Sequence, residues 1–221
     1  AKLLKRREFR DVFSIPVAGE GREEFMLPFR PPFNNSILLQ THALRDIVLR
    51  FLGGEHVKIH LLSVVLSYPG SSEQGWHQDW RYLFNKATKD PPYAVQVGIP
   101  LEDWSDDMGP TQFCPGSNDR FYNGKPCEMP IAAGSSVGDA VIWDYRVLHR
   151  GPANKNANRV RGMMLAALSR SFFVNNDAFI NRGVTNVQTL HQRRYWESSY
   201  WHPEDSSLYF ADEIDKMHAH I

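Results

Sequence analysis

From residue 57 to residue 174 the chain is written as short runs of β-branched and aromatic residues cut by glycine and proline. Val57 to Tyr68 runs into Pro69-Gly70. Tyr93 to Leu101 is a second run and Thr111 to Cys114 a short third. Asp139 to Trp143 follows the turn at Gly138, and Arg161 to Ser169 closes the series. Strands without alternating helices cannot build βαβ crossovers, so the pattern predicts an antiparallel sandwich or barrel. One helix is predicted before it, at Thr41 to Leu52. Thr41 caps its start, Leu44, Ile47, Val48, Phe51 and Leu52 form an apolar face, and Gly53-Gly54 ends it. The Pro- and Gly-rich stretch from Val12 to Asn35 reads as extended loop, and the aromatic-rich tail from Gln188 to His218 as helix packed on the barrel.

A length of 221 residues suits one domain with a sizeable core. The expectation is a single domain over 1–221, with a core at 57–174 and flanking helices and loops at 1–56 and 175–221. Lys+Arg and Asp+Glu both number 25, so the net charge is zero and nucleic-acid binding has no electrostatic footprint. No apolar run reaches the ~20 residues that span a bilayer. With only Cys114 and Cys127, a disulfide-stapled secreted scaffold is excluded and a reducing compartment, the cytoplasm, is the easier fit.

Several familiar chemistries lack their motifs. No G-x-G-x-x-G follows a strand, and there is no P-loop, C-x-x-C, H-E-x-x-H or G-x-S-x-G. What stands out is His77-Gln78-Asp79, just beyond the turn Pro69 to Gly75. In extended chain, residues two apart point to one side, so imidazole and carboxylate can converge. His149, after the run Asp139 to Trp143, is the third candidate. Two histidines and one carboxylate on one face of a metal leave three positions open, the facial triad of non-haem Fe(II) oxygenases. Arg161 heads the next apolar run. Pointing inward it would be an uncompensated charge unless an anion arrived to pair with it. A dicarboxylate chelating the metal at one end would present its other carboxylate there. Arg159, two residues earlier and on the same face, is the rival for this role.

These stretches carry a resemblance. PGSSEQGWHQDW at 69–80, QVGIPL at 96–101, GPTQFCPGS at 109–117 and the run Gly138 to Phe173 are similar, in order and spacing, to the phytanoyl-CoA dioxygenase family of Fe(II)/2-oxoglutarate oxygenases. The resemblance implies a mainly β fold, a cupin-like double-stranded β-helix or jelly-roll of eight strands. It implies His77, Asp79 and His149 as iron ligands. It makes Arg161 the partner of the distal carboxylate of 2-oxoglutarate, the register against Arg159 being fixed by Ser169-Arg170. Gln74 and Thr111 match further cosubstrate contacts of some members. The implied cofactors are Fe(II), 2-oxoglutarate and O2, and the implied reaction is hydroxylation of a small organic substrate with release of succinate and CO2. The family's Pro-Gly-Ser-His is Pro115-Gly116-Ser117-Asn118 here, which touches local detail and not the ligands. Halogenating relatives lose the triad carboxylate, whereas this chain keeps Asp79. Trp80, Tyr82, Phe84 and Tyr145 flank the ligand segments as candidate pocket walls, and residues 81–92 read as a loop able to close over the site. Two other readings stand beside the oxygenase: a non-catalytic metal- or ligand-binding jelly-roll module, and a cupin-type metalloenzyme indifferent to 2-oxoglutarate. Turnover of the cosubstrate separates them.

Overall fold

Residues 13–27, 42–53, 57–80, 83, 90–119, 125–133, 136–170, 172–173 and 200–201 are described in the computed structural model. They form strands β1 (Phe13–Pro16) and β2 (Arg22–Met26), helix α1 (His42–Leu52), and strands β3 (Val57–Ser67), β4 (Ala94–Pro100), β5 (Gln112–Phe113), β6 (Ile131–Ala132), β7 (Val141–Asp144), β8 (His149–Arg150), β9 (Arg161–Arg170) and β10 (Tyr200–Trp201). Seven strands make one sheet in the order β1-β2-β3-β9-β4-β7, with β10 against β3, and β6-β5-β8 make a second. The pairs with resolved register are antiparallel, among them Gln96 opposite Trp143 and Phe113 opposite His149. Neighbours such as β3 and β9 are far apart in sequence, as the expected jelly-roll requires.

The chain divides into two compact units. One holds residues 14–25 and 63–165, and its core includes Tyr93, Val95, Val97, Met108 and Leu148. Here the two sheets bring Phe113 and Trp143 ring to ring at 5.2 Å. The other unit holds residues 1–13, 26–62 and 166–221. Leu52, Ile59 and Leu62 are fully buried in it, each contributing roughly 1.5–3 kcal/mol relative to exposure.

Several local expectations change. Arg22–Met26 is a strand with alternating burial, where the proline- and glycine-rich sequence reads as loop. Gly19 and Gly21, both at positive φ (96° and 70°), turn the chain between β1 and β2. In α1 the row Leu44, Val48, Leu52 is buried, but Ile47 and Phe51 stay 52% and 40% exposed. The buried stripe is therefore the narrow i, i+4, i+8 row, and the two flanking apolar positions fall outside it. Tyr200–Trp201, inside the tail read as helix, pair with Lys58 and Val57 as strand; the rest of that tail lies outside the described residues. Cys114 and Cys127 are joined in a disulfide with Cα atoms 5.7 Å apart. That bridge weighs against the reducing compartment inferred from the cysteine count. Among the described residues no helix is long and apolar enough to cross a membrane.

Candidate active site

The site lies within the unit that holds residues 63–165. His77 and His149 form an isolated antiparallel bridge, each backbone N–H donating to the other's carbonyl at 2.9 and 2.8 Å. That pairing brings the H-x-D segment alongside β8. A buried ion pair steadies the approach from the other side. Arg146 donates to both oxygens of Asp144 at 2.9 and 2.6 Å, and Gln78 donates its amide to the Arg146 carbonyl. The residue between the two H-x-D ligands is thus tied to the turn that delivers His149.

One ligand atom each from His77, Asp79 and His149 lies within 4.8 Å of the others. The outer atoms are all engaged. Nδ1 of His77 sits 2.8 Å from the Gly75 carbonyl, and Nδ1 of His149 lies 2.9 Å from that of Val147. A carbonyl can only accept, so a neutral ring at either position carries its proton on Nδ1 and keeps its lone pair on Nε2. Asp79 Oδ1 lies 3.5 Å from His149 Nε2, and its Oδ2 accepts from the Trp143 indole at 2.9 Å. Burial by itself raises the Asp79 carboxyl, but the charges of His149 and His77 and hydrogen bonds from His149 and Trp143 outweigh it and hold the group below its ordinary value. Burial disfavours a charged His149, and the neighbouring Asp79 carboxylate overcomes this and raises the imidazole above 6.5.

The other end of the site is cationic. Arg161 is 5% exposed and donates to the Met108 carbonyl and Ser67 hydroxyl, both at 3.0 Å, with its guanidinium 5.8 Å above the Trp104 ring. Arg22, also 5% exposed, donates to the same Ser67 oxygen and to the carbonyls of Ser72, Gly151 and Pro152. Neither pairs with a carboxylate among the described residues. Burial, followed by repulsion from Arg22, pulls the Arg161 pKa down to about 9; burial pulls Arg22 down to about 10. Like charges repel more strongly where burial excludes water, and these two share one hydroxyl oxygen. An arriving anion would relieve that repulsion. Gly151 leaves the space in which these heads meet. A Cβ there would stand 2.7 Å from Gln74 Oε1, 2.9 Å from Arg22 Nη1 and 3.0 Å from Arg161 Nη2.

The structure thus brings together His77, Asp79 and His149, and separately Arg161 and Gln74, whose Oε1 accepts from the Gly151 N–H at 2.9 Å. Arg159, the rival of Arg161, points to the surface and reaches Glu102 at 3.5 Å. Thr111 is buried. Trp80 is half-buried and Tyr145 buried, joined by a backbone bond of 3.2 Å. Tyr82, Phe84 and most of the 81–92 loop lie outside the described residues. Sequence reasoning missed Arg22, Ser67, Trp143 and Gly151. Arg22 falls in the stretch read as extended loop, and only the non-local order β2-β3-β9 turns it inward.

The model of the family described as phytanoyl-CoA dioxygenase matches residues 2–163. The dioxygenase aneA of Aspergillus aculeatus is 29% identical over 186 residues, 78% of this chain and 62% of aneA. This chain therefore spans less than two thirds of that relative. The solved structure of AviO1 from Streptomyces viridochromogenes Tue57 is 21% identical with a TM-score of 0.55, covering 79% of this chain and 82% of AviO1. HygX from Streptomyces hygroscopicus, solved with nickel, 2-oxoglutarate and hygromycin B bound, is 12% identical with a TM-score of 0.57, covering 76% of this chain and 77% of HygX. These likenesses establish the fold.

Proposed function

The chain belongs to the phytanoyl-CoA dioxygenase family, and on that premise we propose that it is a non-haem iron, 2-oxoglutarate-dependent dioxygenase that hydroxylates an unactivated C–H bond of a small organic molecule. The observation that carries this reading is the pairing of two complementary ends. Two imidazoles and one carboxylate gather within 4.8 Å, and two buried guanidiniums with no acid partner among the described residues converge near Gly151.

The residues present fit the implied groups. Two imidazole nitrogens and one ionised carboxylate are the donor set of a facial ferrous site. His77, Asp79 and His149 would hold the ion. The ring orientation of each histidine is set in advance by the Gly75 and Val147 carbonyls. Arg161 and Arg22 would bind the far carboxylate of 2-oxoglutarate, with Gln74 and Thr111 as neighbouring contacts. The like charge of the two arginines favours a dianion over a neutral ligand. HygX, which carries nickel and 2-oxoglutarate on the same fold, supports this assignment. Ferrous iron with 2-oxoglutarate and O2 supplies the oxidising power for C–H hydroxylation, with succinate and CO2 as co-products. The chain's own part is coordination, aim and exclusion of side reactions.

The test is succinate release. It is expected only when Fe(II) and 2-oxoglutarate are both present, and it is expected to vanish in His77→Ala. Release that survives His77→Ala, or that ignores Fe(II), would refute the reading. A screen of candidate compounds for the gain of one oxygen by mass then identifies the substrate.

A further inference from the structure

We propose that Trp143 is a positioning residue for the metal: its indole N–H holds the outer oxygen of Asp79, so that this carboxylate offers an ion one oxygen and not two. The inference rests on the reading that His77, Asp79 and His149 bind a divalent metal.

The two oxygens of Asp79 face different neighbours. Oδ1 points to His149 Nε2 at 3.5 Å, and Oδ2 accepts from Trp143 Nε1 at 2.9 Å. An indole nitrogen can only donate, so the direction of that bond is not in question. The donor is also fixed in place. Trp143 is 6% exposed, and its ring lies 5.2 Å from that of Phe113 and 5.5 Å from that of His149. Its backbone stands opposite Gln96 in the β4–β7 register. Two residues along β4, on the same face, Gly98 makes room for the ring: a Cβ there would sit 2.9 Å from Trp143 Cζ3. The outer partners of the two histidines are backbone carbonyls. The outer oxygen of Asp79 is held by a side chain, so its support can be removed by substitution without touching the main chain.

The consequence is a matter of coordination number. Three groups giving one atom each leave an octahedral ion three free positions, enough for a bidentate keto acid and one further ligand. A carboxylate free to turn would take one of those positions with its second oxygen. The hydrogen bond from Trp143 opposes that turn.

Trp143→Phe keeps an aromatic ring and removes the N–H. Phe113→Leu loosens the same aromatic cluster and leaves the N–H in place. Co(II) is the probe, added anaerobically to each protein, with the ligand-field absorption bands and the Co(II) affinity as readouts. Trp143→Phe is expected to shift the bands and to weaken Co(II) binding about tenfold, while Phe113→Leu keeps the wild-type bands. Gly98→Ala, which crowds the indole, is the second variant and is expected to move the bands in the same direction. In the metal-free protein an indole N–H resonance should move in Asp79→Asn and disappear in Trp143→Phe. Wild-type bands and affinity in Trp143→Phe would overturn the inference and leave the metal centre standing, and so would the same shift in Phe113→Leu. A wild-type protein that binds no Co(II) would remove both.

Discussion

The candidate metal end and the guanidinium end of the site are built on opposite principles. Around His77, Asp79 and His149 every outer atom has a partner: two backbone carbonyls and one indole. The local charges also complement one another, with Asp79 held ionised beside imidazoles. Around Ser67 the reverse holds. Arg22 and Arg161 share one hydroxyl oxygen, repel each other, and meet only neutral oxygens among the described residues. The first end is organised before a ligand arrives, whereas the second keeps two like charges that an anion would balance. The difference shows where binding energy enters. The carbonyls that orient the imidazoles are part of the main chain, while the anion end keeps an unbalanced charge that a dicarboxylate can neutralise.

That contrast can be broken in a definite order of effect. His77→Ala or Asp79→Ala removes a ligand outright and should lower divalent-metal affinity by more than about 100-fold, beyond the loss typical of outer-partner changes. A metal titration followed by calorimetry reads this. Arg161→Leu should leave metal affinity within about twofold and weaken 2-oxoglutarate binding to the metal-loaded protein by about 3 kcal/mol, roughly 100-fold. Arg22→Leu should weaken it less, because Arg22 also bonds the Ser72, Gly151 and Pro152 carbonyls, which hold it in any state. If either arginine variant lost metal and cosubstrate together, the two ends would not be separable. Gly151→Ala should raise the KM for 2-oxoglutarate by roughly tenfold, since its Cβ displaces Gln74, Arg22 and Arg161 at once.

The smallest effect is a dependence on pH. His149 must be neutral to bind a metal, and Asp79 raises its pKa above the ordinary 6.5. Protons therefore compete increasingly as pH falls through that raised value, and metal affinity should begin to drop above pH 6.5. Asp79, held low, should add no step of its own near neutrality. Metal affinity measured across pH 5.5 to 8.5 checks this, and a midpoint below 6.5 would count against the coupling of His149 to Asp79.

The cluster of His77, Asp79 and His149 was legible in the sequence because its geometry is local. His77 and Asp79 share a side by strand parity, and only His149 had to be found elsewhere. The anion end was half legible. An arginine heading an apolar run signalled a buried charge, but parity placed Arg159 and Arg161 on one face. The structure separates them only through the neighbours each meets, Glu102 at the surface and Ser67 inside. Arg22 was hidden because it falls in the stretch read as extended loop, and burial there comes from β3 and β9, strands remote in sequence. Trp143 was read as the end of an apolar strand, since a hydrogen bond from an indole to a carboxylate leaves no trace in periodicity. The fold class survived these gaps because strand-and-turn grammar is repeated along the chain. The short strands β6, β8 and β10, two residues each, carry too little pattern to be seen.

The central claim is that one ferrous ion and one 2-oxoglutarate bind together between these two ends. The most direct measurement adds both to the protein without oxygen and follows the weak visible charge-transfer band of the keto-acid chelate. The band is expected to require both components, to disappear in His77→Ala, and to need a much higher 2-oxoglutarate concentration in Arg161→Leu. A protein that forms no such band, or forms it equally well without His77, would contradict the account.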